Sequence, residues 1–205
     1  SKICLEIDKI LREHKQDFTM DEIVEKDLDW MHEPFIQEDQ INTFFGMGSS
    51  GKTMLSLYFA SLAAENGIKT LFIDYENDGS STKSKLRKMS TYANNIIYFE
   101  SEQIPVFEQV DKIRAAIKKH DIKLLIVDSA SLASGDSTSD EKAALRLFAG
   151  LKMLKTTTIL IAHQRKNDGD KNPIGSIQYE NQARNVWNFE AQRDNYHDGV
   201  LHVSC

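Results

Sequence analysis

The chain has 205 residues, which is enough for one α/β domain with a sizeable core and not comfortably enough for two. Hydrophobic residues make up 40% and charged residues 27%, the balance of a soluble globular protein. The formal net charge of −6 argues against a broad basic face of the kind that coats duplex DNA, although a local basic loop is compatible with it.

The cysteines and the apolar segments exclude several further classes of protein. Cys4 and Cys205 lie at opposite ends of the chain, so they provide neither metal-ligand spacing nor a disulfide framework. No apolar run approaches the roughly 20 residues that a membrane-spanning helix needs. The first residues alternate in charge and lack the apolar core of a signal peptide. We therefore expect a cytoplasmic protein without a membrane partner.

The first 40 residues form a lead-in segment. The apolar spacing over residues 3–14 predicts an amphipathic helix, which either folds back on its own domain or docks on a neighbouring subunit. Residues 18–40 are acidic and irregular, and three apolar side chains are expected to anchor them: Trp30, Met31 and Phe35. This segment is too short to form a second domain.

From residue 41 onward, apolar strands alternate with amphipathic helices. The predicted strands cover residues 41–45, 70–75, 95–99, 123–127, 157–162 and 200–203. The predicted helices cover residues 52–64 and 84–89, the segment around 110–117, and a segment around 144–151 that a Thr138–Glu141 capping box begins. Repeated β-then-α units predict an α/β fold with a mostly parallel, twisted sheet and helices on both faces, over residues 41–205.

The most specific motif follows the first strand of this pattern. Residues 46–53 match the P-loop pattern with both glycines, the lysine and the threonine in register. Glycines let the backbone fold tightly, so that its N–H groups converge on phosphate oxygens, and the helix that follows adds its positive end. The expected phosphate-binding residues are Gly46, Met47, Gly48, Ser49, Ser50, Gly51, Lys52, Thr53 and Met54.

Two side chains of this motif have separate chemical roles. Lys52 is expected to reach the β- and γ-phosphates of ATP, and the Thr53 hydroxyl to occupy one coordination position on Mg²⁺. A Gly/Ser-rich turn without a ligand is the alternative. The strand before the motif and the amphipathic helix after it favour the nucleotide site.

A second metal-holding residue follows the strand of residues 123–127. Asp128 is placed at the carboxyl edge of the sheet, where α/β proteins bind their ligands. By itself it could be an ordinary acid at the end of a strand. Together with a P-loop in the same domain, it is expected to orient the magnesium ion, through a water molecule.

Two other strands end in polar side chains that suit the chemistry of hydrolysis. Glu76, after the strand of residues 70–75, can sit beside the γ-phosphate and polarise the attacking water; Asp74 is the competitor, and capping of a helix is the alternative role of both. His163 and Gln164 end the strand of residues 157–162. They either sense the γ-phosphate or are structural hydrogen-bonding residues.

These motifs together resemble the RecA-like ATPases. The P-loop, the Tyr75-Glu76-Asn77 ending, the Val127-Asp128-Ser129 ending and the Ala162-His163-Gln164 ending occur in the order of that superfamily. The likeness is greatest to RepA-like hexameric helicases and related AAA-type ATPases of plasmids and phages. In those proteins, as here, a Gly-Ser pair (residues 175–176) precedes a helix with an Asn-x-x-Arg-like element (residues 181–184). The resemblance covers about residue 28 to the C-terminus.

The resemblance implies more than the spacing does. It places the strand of residues 157–162 between the P-loop strand and the Asp128 strand, and it makes Glu76 the catalytic glutamate and His163 with Gln164 the polar sensor. It also implies a homo-oligomer, with a hexamer favoured, in which Arg184 is an arginine finger that reaches a neighbouring subunit's ATP. A surface salt bridge is the alternative role for Arg184.

The loops after the two central strands are expected to contact single-stranded DNA by the same resemblance. Residues 165–173 contain Arg165, Lys166 and Lys171, which could contact phosphates, but two aspartates reduce the positive charge and no aromatic residue is present for stacking. A solvated loop is the alternative. Residues 131–139 form the other candidate loop and contain no basic residue.

The leading functional hypothesis is therefore a Mg²⁺-dependent oligomeric ATPase that acts on single-stranded nucleic acid as a helicase, translocase or loader. The alternative is an ATP-controlled assembly or regulatory binding module that does not translocate. A small-molecule kinase is disfavoured, because the chain shows no arginine-rich lid and Glu76 is placed to activate water. The chain stops just inside a predicted strand at Cys205, which suggests that the domain is truncated.

Overall fold

The computed structural model describes residues 29–89, 93–135, 141–164, 178–193 and 199–205. Within these residues, seven strands form one sheet in the order β5-β4-β6-β7-β3-β8-β9. The strands of this sheet are β3 (Ile41–Gly46), β4 (Lys69–Asp74), β5 (Ile96–Glu100), β6 (Ile122–Asp128), β7 (Thr157–His163), β8 (Asn185–Arg193) and β9 (Gly199–Ser204). A separate two-stranded sheet contains β1 (Trp30–His32) and β2 (Ile36–Gln37).

Helices connect these strands and cover the sheet. They are α1 (Lys52–Glu65), α2 (Gly79–Met89), α3 (Val110–His120), α4 (Ala130–Ala133), α5 (Glu141–Leu154) and α6 (Gln178–Gln182). All strand pairs in the large sheet are parallel except β8 with β9. The mostly parallel α/β fold is confirmed. So is the position of β7, which lies between β3 and β6 as the RecA-like resemblance implied.

The core lies in two layers, one on each face of the sheet. Because neighbouring side chains of a strand point to opposite faces, Leu125 and Val127 of β6 pack into one layer and Leu124 and Ile126 into the other. The first layer includes Leu147, Phe148 and Leu151 of α5; the second includes Leu57, Ala60 and Ala63 of α1. Helices therefore cover both faces, which is why the central strands are continuous apolar runs.

The buried face of α1 differs from the predicted stripe. The sequence pattern groups Met54, Leu55, Tyr58, Phe59 and Leu62, but Met54 is 41% and Tyr58 48% exposed. Small residues lie against the sheet instead, with Ala60, Ala63 and Ala64 almost fully buried. Alanines let the helix approach the sheet closely, with Leu57 and Phe59 buried beside them, whereas Met54 and Tyr58 point outward.

The lead-in segment is more regular than expected. β1 and β2 pair antiparallel over residues that the sequence pattern presents as irregular. Phe35 packs against Phe59 of α1 and Trp187 of β8, with ring centroids 5.5 and 4.8 Å away, and Ile36 is fully buried. These contacts attach the segment to the α1 face of the sheet. The predicted helix of residues 3–14 and Cys4 lie outside the described residues.

The C-terminal part of the sheet contains a strand that the sequence pattern missed. β8 pairs parallel with β3, and β9 returns antiparallel beside it, where a strand over residues 200–203 was predicted. β8 alternates apolar and polar residues and buries Asn188, so it lacks the continuous apolar run by which the other strands were recognised. Thr138, Gly175 and Ser176 are outside the described residues. Among the helices that are described, none is long and apolar enough to cross a bilayer.

Candidate active site

The predicted site residues meet at the carboxyl edge of the sheet. β3 ends at Gly46, β4 at Asp74, β6 at Asp128 and β7 at His163. Asp74 lies beside Asp128 in the register of β4 with β6, and Gly46 lies beside His163 in the register of β3 with β7. Parallel strands deliver their last residues to one edge, and this edge therefore collects polar groups from distant parts of the sequence.

The loop between β3 and α1 has the backbone that the P-loop motif predicts. Gly46 has φ 153°, and a Cβ there would lie 2.3 Å from the carbonyl oxygen of Phe189, so only glycine fits. Gly51 has φ 90° and precedes α1, whose first turn has no side-chain cap and no acidic residue. The unpaired N–H groups of such a helix start form a ready site for an anion. The loop therefore suits a phosphate group.

Lys52 lies inside this loop. Its side chain is only 4% exposed, and Nζ donates hydrogen bonds to the carbonyl oxygens of Gly46 and Met47, both at 2.8 Å, and to Ser50 Oγ at 3.2 Å. Burial lowers the pKa of Lys52 to about 8, against the opposing effect of Asp128 and Glu76. The ammonium group is thus held at the centre of the loop and would gain from an anionic partner.

Thr53 and Asp128 form a pair next to Lys52. The Thr53 hydroxyl donates to Asp128 Oδ2 at 2.7 Å, and the two residues are 75 positions apart in the chain. Asp128 is fully buried, and its Oδ1 has no hydrogen-bond partner among the described residues. Burial is the main reason why the pKa of Asp128 rises to about 6.

A buried carboxylate with an unsatisfied oxygen beside a hydroxyl fits a divalent cation. Mg²⁺ binds oxygen ligands and commonly takes only one or two from the protein, with water and phosphate oxygens completing the shell. In the described parts of the chain there is no group of three or more His, Cys, Asp or Glu side chains that could hold a metal by themselves. Thr53 and Asp128 could thus hold a metal together with a nucleotide, and not as an all-protein cage.

The buried carboxylate predicts that Asp128→Asn stabilises the metal-free protein. A carboxyl with a pKa near 6 when folded and 3.8 when unfolded costs the folded state on the order of 3 kcal/mol at neutral pH. The variant leaves an unpaired amide, so we expect a net gain of about 2 kcal/mol, or roughly 6 °C in Tm. The measurement is thermal and urea unfolding at pH 7 in excess chelator.

The stability difference between Asp128→Asn and the wild type also depends on pH. Because the folded-state pKa is raised, the wild type gains stability as pH falls from 7 through 6 toward 4, and the advantage of the variant disappears over the same range. Asp111→Asn is the matched control, since that carboxylate is exposed and pairs with Arg114 on the surface, where such pairs contribute ~0–1 kcal/mol. A less stable Asp128→Asn protein at pH 7 contradicts the prediction.

Glu76 and His163 meet at the same edge as Thr53 and Asp128. His163 Nε2 forms a hydrogen bond with Glu76 Oε1, which joins residues 87 positions apart. This bond is the main reason why the pKa of Glu76 lies below its usual value, and Ser129 next to Asp128 adds a second hydrogen bond. The Glu76 side chain is 32% exposed. Glu76 is thus an ionised carboxylate at neutral pH with access to solvent at this edge.

Asp74 is bound differently from Glu76. Its Oδ1 accepts hydrogen bonds from the backbone N–H groups of Glu76 and Asn77, and its Oδ2 accepts one from Thr82. The side chain is only 3% exposed. Asp74 therefore has a structural role in the turn after β4, which leaves Glu76 as the accessible carboxylate of the two.

The remaining predicted site residues are placed as follows. The Gln164 N–H donates to the Gly46 carbonyl at 3.0 Å, so Gln164 lies next to the loop. Arg184 lies at the opposite edge, where its N–H donates to the Ile41 carbonyl at the start of β3. β3 is about 16 Å long at ~3.3 Å per residue, so Arg184 is far from the loop of its own chain. Arg165, Lys166 and Lys171 lie outside the described residues.

Sequence reasoning missed two groups at this edge. Ser129 forms a hydrogen bond with Glu76, and the Phe189 carbonyl lies against Gly46. Ser129 directly follows Asp128, and that adjacency could have identified it. A cavity of about 420 Å³ also lies beside the loop, between residues 47–50 and residues 189–191 at the carboxyl end of β8. Because β8 was not predicted, the sequence pointed only to the loop side of this cavity.

Fold and site together define a RecA-like P-loop ATPase. The chain belongs to the AAA domain family (AAA_25), which residues 12–169 match. A solved structure with the same fold is the KaiC-like protein PH0186 from the hyperthermophilic archaeon Pyrococcus horikoshii OT3, with a TM-score of 0.65 and 19% identity over 82% of this chain and 78% of that chain. No curated protein matches the chain in sequence. Family and fold support a nucleotide-binding ATPase.

Proposed function

We propose that the chain hydrolyses ATP with Mg²⁺ at the carboxyl edge of the sheet, as a subunit of an oligomeric motor on single-stranded nucleic acid. The observation that carries the catalytic part is the grouping of Lys52, the Thr53–Asp128 pair and Glu76 at one edge. A buried cation, a metal-ligand pair and an accessible carboxylate are the groups that hydrolysis of a phosphoanhydride needs.

The phosphate loop would bind the triphosphate. The N–H groups at the start of α1 would bind the anion, and Lys52 would turn from the carbonyl oxygens of Gly46 and Met47 to the β- and γ-phosphates. Thr53 and Asp128 would hold Mg²⁺, which supplies positive charge to neutralise the phosphate oxygens. Binding of the cation also satisfies the charge of Asp128 that burial otherwise disfavours.

Glu76 would activate the attacking water. Its carboxylate accepts a proton from the water as the new bond to the γ-phosphorus forms and the bond to the ADP oxygen breaks. Its low pKa keeps it ionised at neutral pH. His163 and Gln164 lie at the end of β7, between β6 and the P-loop strand β3, where loss of the γ-phosphate would change their surroundings. The bond between Glu76 and His163 would connect hydrolysis to β7.

The hydrogen bond between Glu76 and His163 would also couple hydrolysis to nucleic-acid binding. β7 leads into the segment that contains Arg165, Lys166 and Lys171, so a change at His163 is transmitted to the residues that immediately follow it. Arg184 lies at the edge opposite its own P-loop, so as an arginine finger it acts on the ATP of a neighbouring subunit. A closed ring, with a hexamer favoured, places each such arginine against the next site.

A regulatory module that binds ATP and assembles without translocating is the second candidate. The net charge of −6 favours it, because a strongly acidic chain disfavours non-specific contact with nucleic acid. It shares the nucleotide site with the motor and differs only in its response to a polynucleotide.

One experiment separates the two candidates. ATP turnover is measured with and without single-stranded DNA and RNA over a salt series, with the mass of the assembly followed by light scattering. We expect stimulated turnover that falls steeply with salt, in an ATP-dependent oligomer. ATP-dependent assembly without any response to a polynucleotide overturns the motor and supports the regulatory module.

A pair of double variants identifies the loop that contacts the polynucleotide. The affinity for single-stranded DNA falls with salt, and the slope of log affinity against log salt concentration reports how many phosphates are neutralised. Arg165→Gln with Lys166→Gln is expected to reduce this slope by roughly 0.7 for each phosphate that is no longer neutralised. Unstimulated ATP turnover is expected to stay unchanged. The matched control removes the same charge from the exposed end of α3, with Lys118→Gln and Lys119→Gln. Equal effects of the two pairs contradict a specific role for the loop after β7.

A further inference from the structure

The turn after β4 is fastened by a buried carboxylate. Asp74 Oδ1 accepts the backbone N–H groups of Glu76 at 2.9 Å and of Asn77 at 2.8 Å, so it fixes the backbone that carries the Glu76 side chain. Asp74 is 3% exposed, although a carboxylate is rarely buried unless its oxygens are satisfied. The hydrogen bonds of Asp74 therefore define the direction in which the chain leaves β4.

A hydroxyl from α2 completes this arrangement. Thr82 Oγ1 donates to Asp74 Oδ2 at 2.7 Å, and Thr82 is itself 3% exposed. The carboxylate thus joins the turn on one side to a helix on the other. Hydrogen bonds to an ionised acceptor are about twice as strong as neutral ones, so this link holds the turn firmly.

The metal-holding strand fixes the same backbone from the other side. The Tyr75 N–H donates to the Asp128 carbonyl oxygen at 2.6 Å, and the Gln103 side chain donates to the Tyr75 carbonyl at 3.2 Å. These bonds hold the backbone that carries Glu76 next to Asp128. The distance of the Glu76 carboxylate from Thr53 and Asp128 therefore depends on them.

We propose that Asp74 and Thr82 are positioning residues for hydrolysis, which set the place of the Glu76 carboxylate relative to Thr53 and Asp128. The proposal rests on the proposed role of Glu76 in activating water. Both side chains are almost fully buried, so Asp74 would act through the backbone of Glu76, and Thr82 through Asp74. Small displacements of a catalytic group reduce the rate strongly while substrate binding is unchanged, because binding depends on the phosphate loop.

The test is Thr82→Val, which removes the hydroxyl and keeps the shape of the side chain. We expect kcat per nucleotide-binding site to fall about tenfold, with KM and Kd for ATP within about twofold of the wild type. Thr82→Ser, which restores the hydroxyl, is expected to recover most of kcat. Asp74→Asn keeps an acceptor for the two N–H groups but loses the charge, so its kcat falls about threefold.

Thr158→Val is the matched control. Thr158 is fully buried in β7 at the opposite edge and donates to the Thr156 carbonyl at 2.8 Å, so the variant loses a similar hydroxyl bond away from the site. We expect it to lower Tm and to leave kcat unchanged. If Thr82→Val lowers only Tm, as Thr158→Val does, the positioning role is wrong.

These variants distinguish failure of the positioning role from failure of the water-activating role of Glu76. Normal turnover in Glu76→Gln overturns the proposed role of Glu76 in activating water, on which the positioning role depends. An inactive Glu76→Gln together with unchanged kcat in Thr82→Val overturns only the positioning role. If Thr82→Val yields no folded protein, Asp74→Asn decides: a kcat equal to the wild type overturns the proposal, and a reduced kcat with unchanged Kd for ATP supports it.

Discussion

Glu76→Gln is expected to reduce kcat for ATP hydrolysis by about 10² to 10⁴-fold and to leave ATP affinity within a few-fold of the wild type. The amide keeps the size of the side chain and can still contact His163 and Ser129, but it cannot accept the proton of the attacking water. Because the charge of Glu76 lies near the phosphate site, its removal is expected to strengthen ATP binding slightly.

The measurements are steady-state turnover and equilibrium binding of ATP. Glu65→Gln is the matched control, since Glu65 is exposed at the far end of α1 and the variant makes the same chemical change. The control is expected to retain wild-type turnover. Hydrolysis by Glu76→Gln at the wild-type rate contradicts the assignment of the water-activating group, and Asp74 then becomes the residue to test.

Lys52→Met is expected to weaken ATP binding by on the order of 3 kcal/mol, or about 10²-fold in Kd. Methionine fills much of the volume of the buried stem, so the fold is retained while the cation is lost. Lys69→Met is the matched control, because Lys69 is exposed at the amino end of β4. Unchanged affinity of Lys52→Met for ATP contradicts the phosphate-binding role of the loop.

The same lysine predicts a pH dependence of ATP affinity. With its pKa lowered to about 8 by burial, Lys52 loses its proton in the free protein as pH rises above 8, whereas bound phosphate favours the charged form. The Kd of the wild type is therefore expected to rise about tenfold between pH 7 and pH 9. Lys52→Met has no proton to lose, so its weaker binding is expected to change little over this range.

The elements that sequence reasoning predicted well share one property: their signals are local. The strands β4, β6 and β7 each contain a run of consecutive apolar residues because both of their faces are buried, and each run is recognisable without any knowledge of its neighbours. β8 carries polar residues between its apolar ones and lies toward the side of the sheet, and the pattern did not reveal it. Whether one face or both faces of a strand are buried depends on which other elements pack against the sheet there.

The packing of α1 shows the same limit. The periodicity of apolar residues identifies a helix and predicts that one of its faces is buried. It assigns the large apolar residues to that face in preference to the alanines. Here the sheet receives Ala60, Ala63 and Ala64, while Met54 and Tyr58 point outward. Which face lies inward depends on the distance between helix and sheet, which no local pattern encodes.

The sequence by itself determined the chemistry of the phosphate loop, because that chemistry resides in eight consecutive residues whose backbone and side chains act together. It also indicated each acidic or polar strand ending. Only the tertiary structure decided which side chains these endings meet: Asp128 meets Thr53, Glu76 meets His163, and Asp74 meets Thr82, while Arg184 lies at the other edge. The reason is physical, since the register of parallel strands, and not distance along the chain, determines which side chains share an edge of the sheet.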